Sequence, residues 1–228
     1  GGTTRVVYEP ATGAFERSPP DNAKDFCPQI HYVVSTVLQE DGRGSLYTAS
    51  YAYAKPKYDT EERQFVGFRE VTVTGQDGVK TITTYRQDFP FAGMVEKSRS
   101  YEASDRYGTP GGVLFQESTT TFESLVNEWG VWRVHKLKDL TRVTENGHTL
   151  ETGVVYGPYD EYDNLLTITT LGDTSDPYGE KQVRTEYINK KDDNNFPWLI
   201  GYVKQADTFG HPPGGRARHA ARRRRTER

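Results

Sequence analysis

At 228 residues the chain is long enough to bury a core in one large or two ordinary domains, so length excludes little. Hydrophobic residues make up 34% and aromatic residues 12%, led by 15 Tyr, and no apolar run approaches the roughly 18 residues of a helical membrane span. The formal net charge of -3 divides unevenly: Thr208 to Arg228 holds seven Arg and one acid (net +6), whereas residues 1–207 hold 22 basic and 31 acidic side chains (net -9). Tyr, Thr and Val suit a pleated, half-buried surface and lose χ1 freedom in helices, so the expected fold is all-β with little helix.

Gly1 to Pro28 contains Pro10, Pro19, Pro20 and Pro28 and shows little periodicity, so residues 1–44 read as an irregular or edge segment. The chain opens Gly1-Gly2 without a charged and apolar leader pattern, and reads as a fragment. Cys27 is alone, which leaves no internal disulfide and no Cys-based zinc site.

Between Thr48 and Ile188 short alternating segments follow one another, broken by turn residues, and residues 45–207 read as one β-sheet region. Ser45 to Tyr53 is the first strand. Arg69, Val71 and Val73 then alternate with Glu70, Thr72 and Thr74, and Gly75-Gln76-Asp77-Gly78 turns the chain into Thr81 to Tyr85 as a hairpin. Gly67 before Phe68 marks a β-bulge or a close backbone approach, and Pro90, in Gln87-Asp88-Phe89-Pro90, ends a strand. Leu114 to Phe122 and Val131 to Leu137 are strands, with a short helix at Ser124 to Trp129 as the alternative. Thr141 to Glu145 and His148 to Tyr156 flank Asn146-Gly147, a pair that tolerates the positive φ angles of a type I′ turn. Leu165 to Thr170, Lys181 to Ile188 and Trp198 to Lys204 complete the set. From Thr208 onward His, Pro, Gly, Ala and Arg replace the strand texture, so residues 208–228 read as a disordered basic tail, either native or translated out of frame.

Three Tyr-Asp pairs punctuate this pattern: Tyr58-Asp59, Tyr159-Asp160 and Tyr162-Asp163. In such a pair the Tyr ring lies on the sheet while its hydroxyl reaches the backbone, and the Asp bonds an amide two residues on to close a turn. Tyr162 to Thr169 is the clearer unit. These residues resemble the YD repeat, a unit of roughly two dozen residues that stacks as successive hairpins. Arg63 to Thr74, followed by Thr83 to Gly93, is similar to the Rhs-type region of insecticidal toxin complex B subunits and of plasmid virulence protein B. Leu114 to Phe122 and Trp198 to Val203 follow in the same order.

That resemblance implies antiparallel hairpins forming a curved sheet, part of a hollow β-shell that encloses a toxic C-terminal domain until delivery. It implies a secreted toxin, a wall role without catalysis, and the rest of the shell with its enclosed toxin as partners. The repeat positions are Tyr58, Asp59, Gly67, Phe68, Tyr85, Asp88, Phe89, Pro90, Tyr162, Asp163 and Leu165. The family's self-cleaving aspartate site has no counterpart here, and no cofactor is implied.

Other chemistries are weaker readings. Asp59, Asp88, Asp160 and Asp163 could be paired acids for glycoside hydrolysis, but turn capping is the simpler role in a chain with 32 acids. Asp160, Asp163 and Asn164 lack the roughly twelve-residue ligand loop of a calcium site. His31, His135 and His148 share no metal-ligand spacing, and no metal site is expected. Arg222 to Arg225 has no interleaved aromatics, so no specific nucleic-acid partner is expected. The alternative function is a β module that binds carbohydrate or a cell surface through Trp129, Trp132 and Trp198.

Overall fold

The structure, a computed structural model, describes residues 1–11, 30–103, 112–175, 179–190 and 199–210. Twelve strands form in chain order: β1 (Thr3–Pro10), β2 (Tyr32–Glu40), β3 (Leu46–Asp59), β4 (Gln64–Gly75), β5 (Lys80–Tyr85), β6 (Val95–Tyr101), β7 (Leu114–Val126), β8 (Trp132–Glu145), β9 (His148–Tyr156), β10 (Thr167–Leu171), β11 (Lys181–Lys190) and β12 (Leu199–Gly210). Their order in the sheet is their order in the sequence, with β1 and β12 at the two ends. The expected all-β, antiparallel fold is what forms, and the described residues contain no α-helix. The chain divides into two compact units, Gly1–Thr119 and Thr120–Arg228.

In the first unit β-branched and hydroxyl side chains alternate across β4, β5 and β6. Thr72 faces Ile82 and Val73 faces Thr81, and each then pairs onward into β6. The two faces differ in chemistry. One carries Lys97 and Arg99, which reach Glu117 of β7 at 3.5 and 3.8 Å, and the other carries Thr81 and Ser100, whose hydroxyls meet at 3.0 Å. Such cross-strand pairs stabilise a sheet by a few tenths to about 1 kcal/mol each. A small aromatic cluster joins β3 and β4 to the residue before β2: the rings of His31 and Phe65 stack at 4.1 Å, Phe65 meets Phe68 at 5.3 Å, and Phe68 meets Tyr53 at 4.9 Å.

In the second unit Asn146 (φ 50) and Gly147 (φ 78) make the two-residue turn that the sequence predicts between β8 and β9, with Glu145 opposite His148. β9, β10 and β11 continue the ladder, and β11 pairs with β12 through two register shifts, near Tyr187 and Lys190. Very little is fully buried in either unit. Among the described residues no large side chain is less than 2% exposed; Ala11 is fully covered, and Thr84, Phe91 and His135 are at most 9% exposed.

Several boundaries differ from the sequence expectation. Within residues 1–44 the described residues form two strands, β1 and β2, where an irregular or edge segment was expected, and β1 is an edge strand of the sheet. β6, Val-Glu-Lys-Ser-Arg-Ser-Tyr, carries no apolar alternation and escapes hydropathy reading. The helix considered for Ser124 to Trp129 does not form, because β7 runs to Val126 and a turn begins at Asn127. β10 begins at Thr167, two residues after Leu165, which makes an isolated bridge to Tyr159 instead. β12 continues past Asp207 to Gly210, where Thr208, Phe209 and Gly210 pair with Val183, Gln182 and Lys181. Cys27, Trp198 and residues 211–228 lie outside the described residues.

Candidate functional site

The Tyr-Asp pairs are turn devices, built the same way twice. Tyr58-Asp59 ends β3, and Asp59 Oδ1 accepts the amides of Glu61 at 2.9 Å and Glu62 at 3.0 Å. That cap closes the turn into β4. Just beyond it, Lys57 pairs with Gly67 while Tyr58 pairs with Phe65, so Val66 is the extra residue of a bulge. Gly67 sits there at φ +107, a conformation that side chains with a Cβ rarely adopt.

The loop after β5 holds this bulge. Gln87 Nε2 donates to the carbonyls of Lys55 at 2.9 Å and Gly67 at 2.8 Å, and Lys57 Nζ donates back to the Gln87 carbonyl at 2.9 Å. The loop is also tied to itself. Arg86 grips Asp88 through two nitrogens, one at 2.6 Å, and lies over the Phe91 ring at 4.2 Å. The Arg86 hydrogen bond holds the Asp88 carboxyl below its ordinary range. Phe91 is 9% exposed and Phe89 74%, on either side of Pro90. Tyr85, the last residue of β5, offers its carbonyl to Arg69 Nη1 at 2.5 Å, and Arg69 also pairs with Glu96.

In the second unit the turn between β9 and β10 is the richer version. Asp160 Oδ1 accepts the amides of Tyr162 and Asn164, both at 2.9 Å. Its Oδ2 accepts the side-chain amides of Asn164 at 2.9 Å and of Asn189, from β11, at 2.7 Å. Asn189 Oδ1 in turn accepts the Gly201 amide of β12 at 3.1 Å. One carboxylate therefore links a turn to two strands. Partial burial pushes the Asp160 carboxyl up, but the bonds from Asn164, Tyr162 and Asn189 outweigh it and leave it lowered. Tyr159 donates its hydroxyl to the Lys136 carbonyl at 2.6 Å.

Asp163, assigned with Tyr162 to the clearer repeat unit, does not cap this turn. It sits at φ 65, and its Oδ1 meets His135 Nε2 at 2.8 Å and Arg133 Nη1 at 3.0 Å. Burial raises the Asp163 carboxyl, and the bonds from His135 and Arg133 more than reverse that. His135 is 6% exposed, stacked on Tyr159 at 4.0 Å, with Nδ1 3.4 Å from Glu123 Oε1. Sequence spacing gave no sign of this His135 and Asp163 contact, because the partners lie 28 residues apart. A second knot, in which Asp139 takes bonds from Thr120 and Tyr156 at 2.8 Å and pairs with Lys136 at 2.6 Å, was equally invisible. Among the described residues no group of His, Cys, Asp and Glu is arranged to hold a metal ion.

Residues 1–92 match the family described as the middle/N-terminal region of the insecticide toxin TcdB. Over that stretch the chain is similar to a TcdB middle/N-terminal region. The solved structures agree in fold. A TcdB2-TccC3 crystal structure matches with a TM-score of 0.70 at 11% identity over 95% of this chain. The Photorhabdus luminescens Tc holotoxin pore, in a mutant form, matches with a TM-score of 0.69 at 11% identity over 92% of this chain. A TcdB2-TccC3 structure without its hypervariable C-terminal region matches with a TM-score of 0.69 at 12% identity, again over 92%. This chain spans 14–15% of the length of those chains. No curated protein matches the sequence.

Proposed function

We propose that this TcdB region is a wall segment of a secreted YD-repeat toxin shell, assembled with a TccC-type subunit around a toxic domain, and without catalysis of its own. The observation that carries the reading is the sheet itself. Its strands run in simple chain order, its two end strands each have one neighbour in the sheet, and almost nothing in it is buried. A sheet normally hides one face under a second layer. Strands laid out this way suit a lining whose cover comes from elsewhere in an assembly.

The acids support the same reading. Asp59 and Asp160 satisfy turn amides, and Asp88, Asp139 and Asp163 are engaged by Arg86, Lys136, and Arg133 with His135. Carboxylates spent in this way, with lowered proton affinity at Asp88, Asp139, Asp160 and Asp163, are poor general acids near neutral pH. The second reading, a carbohydrate-binding module, draws on the exposure of Trp129 and Trp132.

The test uses the full-length subunit assembled with its TccC-type partner, with protease resistance of the enclosed domain as the readout. Val73→Pro removes a ladder donor from the middle of β4, between β3 and β5. Loss of cargo protection is the expected result. Cargo that stays protected in a normally assembled Val73→Pro complex, or a subunit that encloses nothing, overturns the wall reading.

A further inference from the structure

Among the described residues His135 is the one buried titratable side chain, 6% exposed, and both of its ring nitrogens face carboxylates. Nε2 lies 2.8 Å from Asp163 Oδ1, in the turn between β9 and β10, and Nδ1 lies 3.4 Å from Glu123 Oε1, on β7. One ring on β8 therefore reaches a strand on one side and a turn on the other. Tyr159 stacks on that ring at 4.0 Å and 13°, and its hydroxyl is fixed to the Lys136 carbonyl at 2.6 Å, which braces the imidazole in this orientation.

The charges around the ring do not balance without it. Arg133, two residues earlier on β8, donates to the same Asp163 oxygen at 3.0 Å. Lys136 pairs with Asp139 at 2.6 Å, and Asp160 accepts the amides of its own turn and the Asn189 side chain, so these are committed elsewhere. The Tyr159 phenol, raised by burial, stays uncharged near neutral pH. Glu123, Asp163 and Arg133 are left facing His135, two carboxylates against one guanidinium. A second ring proton makes the group neutral.

The two nitrogens play different parts. Burial raises the Asp163 carboxyl, but the bonds from His135 and Arg133 hold it below its ordinary range, and a carboxylate only accepts, so Nε2 carries a proton whatever the state of Nδ1. At Nδ1 a lone pair would meet a Glu123 oxygen and repel it, whereas a proton there makes a charge-assisted bond. At 3.4 Å this is the longer of the two contacts, and Glu123, its side chain 41% exposed, is the partner that can turn out into water.

We propose that His135 is a proton-operated latch: the doubly protonated ring ties β7 to the β9–β10 turn by bridging Glu123 and Asp163, and the singly protonated ring releases Glu123 while keeping Asp163. Imidazole is the side chain whose charge ordinarily changes between about pH 5 and 8. The doubly protonated ring makes two bonds and the neutral ring one, so the tie is made on the acid side of that window and lost as pH rises through it. Nothing in the latch depends on the wall reading, since every group in it belongs to this chain.

Amide hydrogen exchange on the full-length subunit, between about pH 8 and about pH 5.5, tests it, with the β6 peptide 95–101 as the reference for the intrinsic effect of pH. Exchange in the β7 peptide 120–126 should be about fivefold slower at the acid end, the size of one long, part-exposed bond to a charged group, while the 157–166 turn is unchanged. His135→Gln keeps a donor for Asp163 but does not titrate, and should abolish the difference. Glu123→Gln offers an amide that can donate to an unprotonated Nδ1, and should keep 120–126 protected at both ends; it decides the matter alone where His135→Gln does not fold. The latch is overturned by exchange in 120–126 that ignores pH in the unsubstituted subunit, by a pH dependence that survives in either variant, or by one that appears equally in 157–166.

Discussion

Replacing Asp160 tests whether Tyr-Asp turns hold strands together or merely decorate them. Asp160→Ala removes the acceptor of four hydrogen bonds, two from backbone amides at 2.9 Å and two from side-chain amides at 2.9 and 2.7 Å. Bonds to a charged acceptor contribute about 1.5–3 kcal/mol each, but they share one carboxylate, are only part-buried and do not add. Discounting for water reaching the orphaned amides, local opening should become easier by about 2–3 kcal/mol, or roughly 30-fold to 150-fold in exchange rate. Amide hydrogen exchange on the full-length subunit reads this directly, in peptides covering 157–166, 186–190 and 199–203. Asp160→Asn keeps an oxygen for the Tyr162 and Asn164 amides while losing charge and one acceptor, so it should retain about half the protection. Exchange accelerated in the 157–166 turn alone, with the β11 and β12 peptides unchanged, would refute the claim that this carboxylate ties the turn to two strands.

Four further outcomes follow from the geometry. Gln87→Ala should free the Lys55 and Gly67 carbonyls and speed exchange in peptides covering the bulge, a loss of about 1–2 kcal/mol, with Gln87→Glu failing to rescue because it cannot donate. Gly67→Ala should cost about 1–2 kcal/mol in chemical denaturation through backbone strain alone, since nothing lies within 4 Å of the added Cβ; a neutral effect would mean the bulge relaxes. Asn146→Ala at the β8–β9 turn should destabilise that hairpin by about 1 kcal/mol, because Ala tolerates φ 50 less readily than Asn. For pH, Asp160 and Asp163 have lowered folded-state pKa values, so their contribution is fully present above the ordinary Asp value of 3.8 and is lost as pH falls through the lowered values. Protection of 157–166 should therefore hold steady from neutral pH down to that value and collapse only below it, and an acid-induced gain in protection would reverse the sign of the argument.

The fold was legible where strand chemistry is local. Val71, Val73 and their neighbours alternate with period two, and Asn146-Gly147 states its turn outright, because both signals depend on residues within a few positions of each other. β6 was not legible for the opposite reason. Its Lys97, Arg99, Ser98 and Ser100 make a good strand only once Glu117 and Thr81 stand opposite them, and those partners come from distant parts of the chain. β12 overran its expected end because Thr208 to Gly210 have a ladder to join in Lys181 to Val183, which local composition cannot register.

The site was legible at the level of motif and misread at the level of the individual acid. Tyr-Asp followed by a polar turn announces a cap, and Asp59 and Asp160 make one, each accepting an amide two residues on. Between two overlapping pairs, however, sequence alone cannot say which Asp points into the turn. The choice is made by partners elsewhere: Asn189 of β11 stands within 2.7 Å of Asp160, while His135 and Arg133 of β8 stand within 3.0 Å of Asp163. Once Asp163 is drawn to those two side chains its backbone takes φ 65, and the amides of Tyr162 and Asn164 are left to Asp160. A double substitution of Arg133 and His135 should therefore disturb Asp163 and leave the Asp160 cap intact, so that exchange at the Tyr162 and Asn164 amides stays slow; fast exchange there would show that the two acids act as one unit and that the division of labour between them is wrong.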